Sequence, residues 1–368
     1  MLSPDLLAEA GRQMAICNAC RYCEGYCAVF PAMERRRTFT DTDLVYLANL
    51  CFECRDCYYA CPYAPPHQLA VNVPKVLAEL RTETYRDYAA PRFVSRLFRR
   101  NGLAVGLIAV AAVAIVALLV LALRGPSVLF ATHLGEGAFY AVIPFAGMVL
   151  PASALLLYAL GALLVGVVRF WRDTRGTLRE LIDARAVVRA TRDALGLEYL
   201  KGGGAGCTYP DARFSHARRR LHHLVFYGFL LDLAATTVAA IYHHVLGWQA
   251  PYPLGSLPVV LGTVGGVLLL VGAGGLLSLK RRSDRQPADR AMLGMDVGFL
   301  ALLFLTSLTG LLLLALRETP AMGTLLAVHL GTVGGLFITL PYGKFAHVAF
   351  RYAALVQNSI ESRRSSGA

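Results

Sequence analysis

Apolar residues in this chain fall in long blocks, not in the short alternating or three-and-four-residue patterns of soluble strands and helices. Blocks at 103–123, 140–168, 222–246, 257–279, 293–316 and 323–348 each approach or exceed the roughly 20 residues needed to cross about 30 Å of hydrocarbon. Residues 103–123 and 257–279 contain no charged side chain, so a buried helix of a soluble protein explains them poorly. Before the first block lies a mixed stretch with short helices expected at Asp43–Leu50 and Val73–Arg81. Between the second and third, residues 172–200 interleave Leu178, Leu181, Ile182, Val188 and Leu195 with Arg175, Arg179, Arg185, Arg189 and Arg192. That pattern predicts a helix lying on anionic lipid or on the amino-terminal domain.

Composition agrees with a membrane protein: 56% of the 368 residues are hydrophobic and the mean hydropathy is +0.51. The net charge of +12 does not point to nucleic acid, because its arginines stand between apolar blocks and no nucleic-acid motif accompanies them. They act as topology signals. Arg92 to Arg100, the loop from Arg169 to Arg220, Lys280 to Arg290, and Lys344 with Arg351 share one side, against Arg124 and Arg317 on the other. Both termini are therefore expected in the cytoplasm, with the spans in a bacterial inner membrane. Met1 to Ala15 lacks the apolar run of a signal peptide.

Eight of the nine cysteines form two runs of one spacing, Cys17-x2-Cys20-x2-Cys23-x3-Cys27 and Cys51-x2-Cys54-x2-Cys57-x3-Cys61-Pro62. Bacterial ferredoxins hold two [4Fe-4S] clusters with such runs, and the fourth cysteine of each run ligates the other cluster. Cys17, Cys20, Cys23 and Cys61 are thus expected on one cluster, and Cys51, Cys54, Cys57 and Cys27 on the second. Structural zinc uses pairs of cysteines separated by a longer loop, without a third at the next x2 step. Cys27 lacks the following proline that Cys61 has. Cluster thiolates suit a reducing compartment, in agreement with the charge argument.

Histidines stand near the ends of the blocks: His222 and His223, His243 and His244, His329 and His347. In the topology above, His222 or His223 shares the inner level with His347, and His243 or His244 shares the outer level with His329. Each level is a candidate bis-histidine haem b site, one expected and a second possible. If the sixth block is one helix, His329 and His347, 18 residues apart, occupy one face. On the third block His222 and His244 fall about 40° apart at 100° per residue, which favours His222 for the inner site and His244 for the outer one. About 27 Å of helix between His329 and His347 is long for a single electron step. Asp232 and Asp296 lie in or at the lip of apolar blocks, where ionisable groups are costly. Asp232 and Tyr227, with His222 and His347, form a candidate quinone vicinity; an interhelical hydrogen bond is the alternative for Asp232. His67 reads as a loop residue. The glycine-rich segment from Lys201 reads as flexible and lacks phosphate-loop features, and Cys207 as a free cytosolic thiol.

The fold class expected is an all-α integral membrane protein: six transmembrane helices in a haem-binding bundle, with an amino-terminal cytoplasmic two-[4Fe-4S] ferredoxin-like domain. Its parts are 1–90 (cluster domain), 91–170 (first two spans), 171–221 (surface helix and glycine-rich loop), 222–350 (four-helix haem domain) and 351–368 (polar cytoplasmic tail). No strand-turn-helix Gly-x-Gly-x-x-Gly is present, so hydride chemistry belongs to a partner and this chain carries electrons.

The cysteine runs, Cys61-Pro-Tyr-Ala-Pro-Pro-His67, Asn72-Val-Pro74, Gly202-Gly-Gly-Ala-Gly-Cys207-Thr-Tyr-Pro210 and Arg219-Arg-Leu-His222-His223 resemble the tricarballylate utilisation (citrate utilisation) protein B family over nearly the whole chain. The resemblance implies reoxidation of the reduced FAD of a partner tricarballylate dehydrogenase on the cytoplasmic side. Electrons would pass through the clusters and haem b to membrane quinone. Two alternatives stay open: a membrane subunit like those of heterodisulfide reductase or the nitrate reductase gamma chain, and a membrane anchor or transporter with structural clusters and no haem.

Overall fold

The structure, a computed structural model, describes residues 2–174 and 176–366; Arg175 and the Leu178 side chain, named above, lie outside the described residues. Five helices build the amino-terminal part: α1 Pro4–Cys20, α2 Val29–Glu34, α3 Asp41–Leu50, α4 Asp56–Tyr59 and α5 Val73–Tyr88. Their ends are set locally. Pro4 and Pro74 stand in first turns, where a missing N–H costs nothing. A capping box joins Thr40 to Asp43, and Asn72 caps α5 through the Lys75 N–H. Ala10 and Met14 of α1 and Leu44 and Leu47 of α3 join Leu77 and Leu80 of α5 in one buried core. The expected helix at Val73–Arg81 runs two turns further, because Tyr85 and Tyr88 are also buried.

A short helix α6 Arg92–Ser95 leads into six helices long and apolar enough to cross a membrane: α7 Asn101–Arg124, α10 Phe145–Asp173, α13 Ala217–Leu246, α14 Leu257–Arg282, α15 Arg290–Ala315 and α16 Met322–Thr339. Short helices α8 Pro126–Leu129 and α9 Ala138–Val142 join the first pair. Close packing between spans rests on glycine, as is common where lipid removes the hydrophobic drive between helices. A Cβ on Gly331 of α16 would stand 2.5 Å from the Val113 Cα of α7, and one on Gly335 2.9 Å from the Ala109 Cα. On α13, Leu221, Val225 and Gly228 face Gly275, Gly272 and Gly265 of α14.

Two expectations change at the carboxyl end. The sixth apolar block is not one helix: α16 stops at Thr339, the chain turns through Pro341 and Gly343, and α17 Ala346–Ser366 begins afresh. Proline has no N–H to continue a helical ladder. His329 and His347 therefore sit on different helices, and the one-face register argument does not hold. Residues 351–366 do not form a free polar tail either. Ala353, Ala354, Leu355 and Val356 of α17 are buried, and Arg36 of the amino-terminal part donates to Glu361 at 2.7 Å.

The surface helix expected over 172–200 is two shorter ones, α11 Leu178–Leu181 and α12 Ala184–Leu195, because Asp183 caps α12 by accepting the Ala186 N–H. The α12 helix buries Ala186 and Ala190 as it packs on α17, Thr191 and Tyr352 sharing a 2.7 Å hydrogen bond, and leaves Val188 exposed. A two-residue hairpin, β1 Cys207–Thr208 with β2 Phe214–Ser215, follows. The α17 helix packs on α2 and α3 of the amino-terminal part.

Replacing Gly331 with leucine forces α7 and α16 apart. The Gly331→Leu protein is expected to lose about 1–3 kcal/mol of stability, seen as a lower unfolding temperature in detergent, whereas Gly106→Leu, which meets nothing within 4 Å, should leave it unchanged.

Candidate functional site

The eight paired cysteines gather into two pockets. Cys17, Cys20, Cys23 and Cys61 line the first with Ile16, Tyr22 and Tyr63, and Cys57 touches its edge. Cys27, Cys51, Cys54 and Cys57 line the second with Phe30, Phe52, Val73 and Pro74. Each run thus contributes its fourth cysteine to the other run's pocket. The backbone bends that allow this fall on Arg21, Glu53 and Arg55, at φ 55°, 56° and 72°. Non-glycine residues seldom adopt that conformation, and surrounding contacts must hold them in it.

Among the described residues no three of His, Cys, Asp and Glu converge as a single-ion site; the thiols ring wider spaces. Burial, then the neighbouring thiolates, push Cys17, Cys23 and Cys27 up to about 12. Metal ligation releases such protons. The residues present therefore fit [4Fe-4S] clusters. The pockets differ in access: Cys20 is exposed and Tyr22 beside it is 65% exposed, whereas Cys51 and Cys54 are buried.

The second cysteine loop lies against α5, α17 and the first turn of α13. Arg81 of α5 and Arg351 of α17 both donate to the Cys51 carbonyl, at 2.8 and 2.9 Å. Arg218 of α13 donates to the Glu53 and Phe52 carbonyls at 2.6 and 3.1 Å. Nearby, Asp296 of α15 is paired with Lys280 of α14 and with Lys344, the latter at 2.6 Å. Asp296 is therefore a structural anion between two lysines. Burial, with Arg81 adding to it, brings Lys344 down to about 8 despite the Asp296 charge.

Directly beside this loop His222 and His347 face each other, ring centroids 6.2 Å apart and planes at 84°. Two imidazoles bound on opposite sides of one metal at about 2 Å each would place their centroids roughly 6 Å apart. The His347 Nδ1–H donates to the Lys344 carbonyl at 2.6 Å, the usual way of orienting a ligating imidazole, and leaves Nε2 free. Burial, with the Arg351 and Lys344 charges, holds His347 well below the ordinary imidazole value, in the neutral form a metal takes. His222 Nδ1 is buried without a partner. The two imidazoles are thus placed as a pair of ligands to one metal would be.

The other histidines do not join them. His223 turns to Tyr227, 5.7 Å between centroids. His243 stacks on Phe145 at 3.7 Å and His244 meets the same ring edge-on, while His329 bonds Thr309 on α15 at 3.1 Å. The outer pairing of His244 or His243 with His329 has no contact among the described residues. Tyr227, expected beside the inner histidines, touches His223 and donates to the Leu195 carbonyl at 3.1 Å, whereas Asp232 faces Gly265 of α14. His67 accepts the Leu69 N–H at 3.1 Å in the exposed loop near the first pocket.

Cys207 is a free thiol, as expected, but a fully buried one, and it donates to the Leu200 carbonyl at 3.3 Å. The loop around it is fixed by Asp56, whose Oδ1 accepts from the Thr208 N–H at 2.7 Å and hydroxyl at 2.9 Å. Gly202 and Gly206, at φ +57° and +102°, leave no room for a Cβ. The glycine spacing was the available signal.

The family model described as Citrate utilization protein B matches residues 96–368, and that described as Citrate utilization protein B Fer4-like domain matches residues 10–90. The chain belongs to the citrate utilization protein B family. A member from Escherichia coli, Citrate utilization protein B, is 48% identical over 358 residues, covering 97% of this chain and 93% of that protein. No solved structure matches. The Fer4-like part ends where α6 begins and contains all eight paired cysteines, so this member of the family is a multi-pass membrane protein with an iron-sulfur-type domain.

If Asp56 clamps the hairpin, Asp56→Ala should cost about 2 kcal/mol and expose the 201–206 segment. Limited proteolysis would then cut there several-fold faster than in the unaltered chain.

Proposed function

We propose that this chain is a membrane electron-transfer protein that takes electrons from the reduced flavin of a partner dehydrogenase, tricarballylate dehydrogenase being the candidate, and delivers them to membrane quinone. Two [4Fe-4S] clusters and one haem b supply the one-electron chemistry when bound. The observation that carries this reading is the adjacency of the second thiol pocket to the His222–His347 pair, through Arg218 and Arg351 on the same two helices.

The chain's own residues divide the work. Cys17, Cys20, Cys23 and Cys61 form the outer site, whose exposed rim at Cys20 and Tyr22 is where a cytoplasmic flavoprotein would dock. Cys27, Cys51, Cys54 and Cys57 form the inner site, shielded from water. Lys344 orients His347, and burial keeps its imidazole neutral. The spans supply the hydrocarbon-facing body through which quinone approaches. Orientation in a bacterial inner membrane with both termini inside follows from the charge distribution.

Purified anaerobically in detergent, the protein should carry about eight non-haem irons per chain and show b-type absorbance on reduction. His222→Ala and His347→Ala should lose that absorbance, and His223→Ala should keep it. Full iron without b-type absorbance would leave a cluster-bearing membrane anchor in place of this reading.

A further inference from the structure

The two thiol pockets differ in the charge packed around them. No charged side chain lines the first. The nearby Arg12 and Arg21 are exposed; Arg12 donates to Glu9 and to the Leu69 carbonyl, and Arg21 to the Asn18 carbonyl. Around the second stand four guanidiniums. Arg55 and Arg81 are buried, at 2% and 1% exposure, and Arg218 and Arg351 are half-buried.

Three of the four place their donors on main-chain carbonyls of Cys51, Phe52 and Glu53, the segment between two thiol ligands. Arg55 lines the pocket itself and its other donor goes to the Asp284 carbonyl at 3.0 Å. Among the described residues two carboxylates oppose them at the loop. Glu53 is 3.6 Å from Arg55, and Asp56 has one oxygen committed to Thr208. The lysines beyond are matched in part by Asp296.

One-electron reduction adds a negative charge to a cluster and takes up no proton. Burial alone makes that addition harder at the inner pocket than at the open one, since low dielectric disfavours the more charged state. Buried guanidiniums act in the opposite sense, and the same low dielectric that penalises charge leaves their attraction unscreened. Arg55 and Glu53 line the second pocket and offset each other, so the balance is set by Arg81, Arg218 and Arg351 on its ligand loop, for which the first pocket has no buried counterpart.

Resting on the reading that both pockets hold [4Fe-4S] clusters, we propose that Arg81, Arg218 and Arg351 are positioning residues that raise the reduction potential of the inner cluster above that of the outer. An electron arriving at the exposed pocket then leaves the outer cluster oxidised again and reduces the inner one, a downhill transfer toward the histidines. Arg218 lies one turn before His222 on α13 and Arg351 one turn after His347 on α17. The helices that bring the histidines together thereby also bring two of the three cations onto the ligand loop.

The test is a redox titration of the anaerobic full-length protein followed by EPR, in the unaltered chain and in Arg81→Gln, Arg351→Gln and Arg351→Lys. Two separate [4Fe-4S] waves are expected, the lower being the one perturbed by Cys20→Ser. Each glutamine variant should lower only the higher wave, by tenfold or more in its reduction equilibrium, which is about 59 mV for one electron. Arg351→Lys, which keeps the charge, should retain most of the difference, and Arg81→Gln serves if Arg351→Gln does not fold. Coincident waves in the unaltered chain, or glutamine variants that move neither wave or both equally, would overturn the inference while leaving two clusters in place. Absence of any [4Fe-4S] signal would overturn the underlying reading and the inference with it.

Discussion

The Cys51 carbonyl is the point on which the molecule is organised, because it accepts hydrogen bonds from two arginines of different parts of the chain, Arg81 of α5 and Arg351 of α17. A guanidinium withdrawn from water is costly unless its donors are used, and charge-assisted bonds to carbonyls are the stronger kind. Fixing that carbonyl fixes the second cysteine loop against the carboxyl-terminal helix. Arg218 fixes the same loop against α13. The iron-sulfur-type domain is therefore not tethered beside the membrane helices but built onto the start of α13 and onto α17, with Arg36 pairing with Glu361 and Asp43 further along α17.

Much of this was legible in the sequence for simple physical reasons. A span must be apolar for some 20 residues, so five of the six spans were visible to within a turn or so at most ends. Cysteine spacing is dictated by cluster chemistry, so the grouping of thiols into two exchanged sets could be written down before any fold. What was not legible depended on single residues that break a pattern. Pro341 and Gly343 divide the sixth apolar block, and hydropathy alone does not register them. The helix they start, α17, is a poor hydrophobic signal because half its burial is of alanine and amides such as Gln357 and Asn358. Its role is set by tertiary partners, not by composition.

The histidines illustrate the same division. Position along the blocks paired His222 with His347, and their rings do face each other, near the starts of α13 and α17. Depth did not reveal that His223 points the other way, nor that His243 is already occupied by Phe145 and His329 by Thr309. Rotation about a helix is only as reliable as the helix is continuous, and the break at Leu340–Phe345 removed the register that joined the outer pair to the inner. The burial of Cys207 was not legible, because it depends on the hairpin that Asp56, distant in sequence, holds by accepting from Thr208.

Continuity from the exposed thiol pocket through the buried one to His222 and His347 is the central claim, and stopped-flow reduction by a soluble flavoprotein too large to reach the histidines tests it most directly. With the oxidised, anaerobic protein as acceptor, the account predicts rapid appearance of reduced b-type absorbance in the unaltered chain and its loss in Cys57→Ser, whose thiol belongs to the inner pocket. Equal rates in both proteins would contradict it.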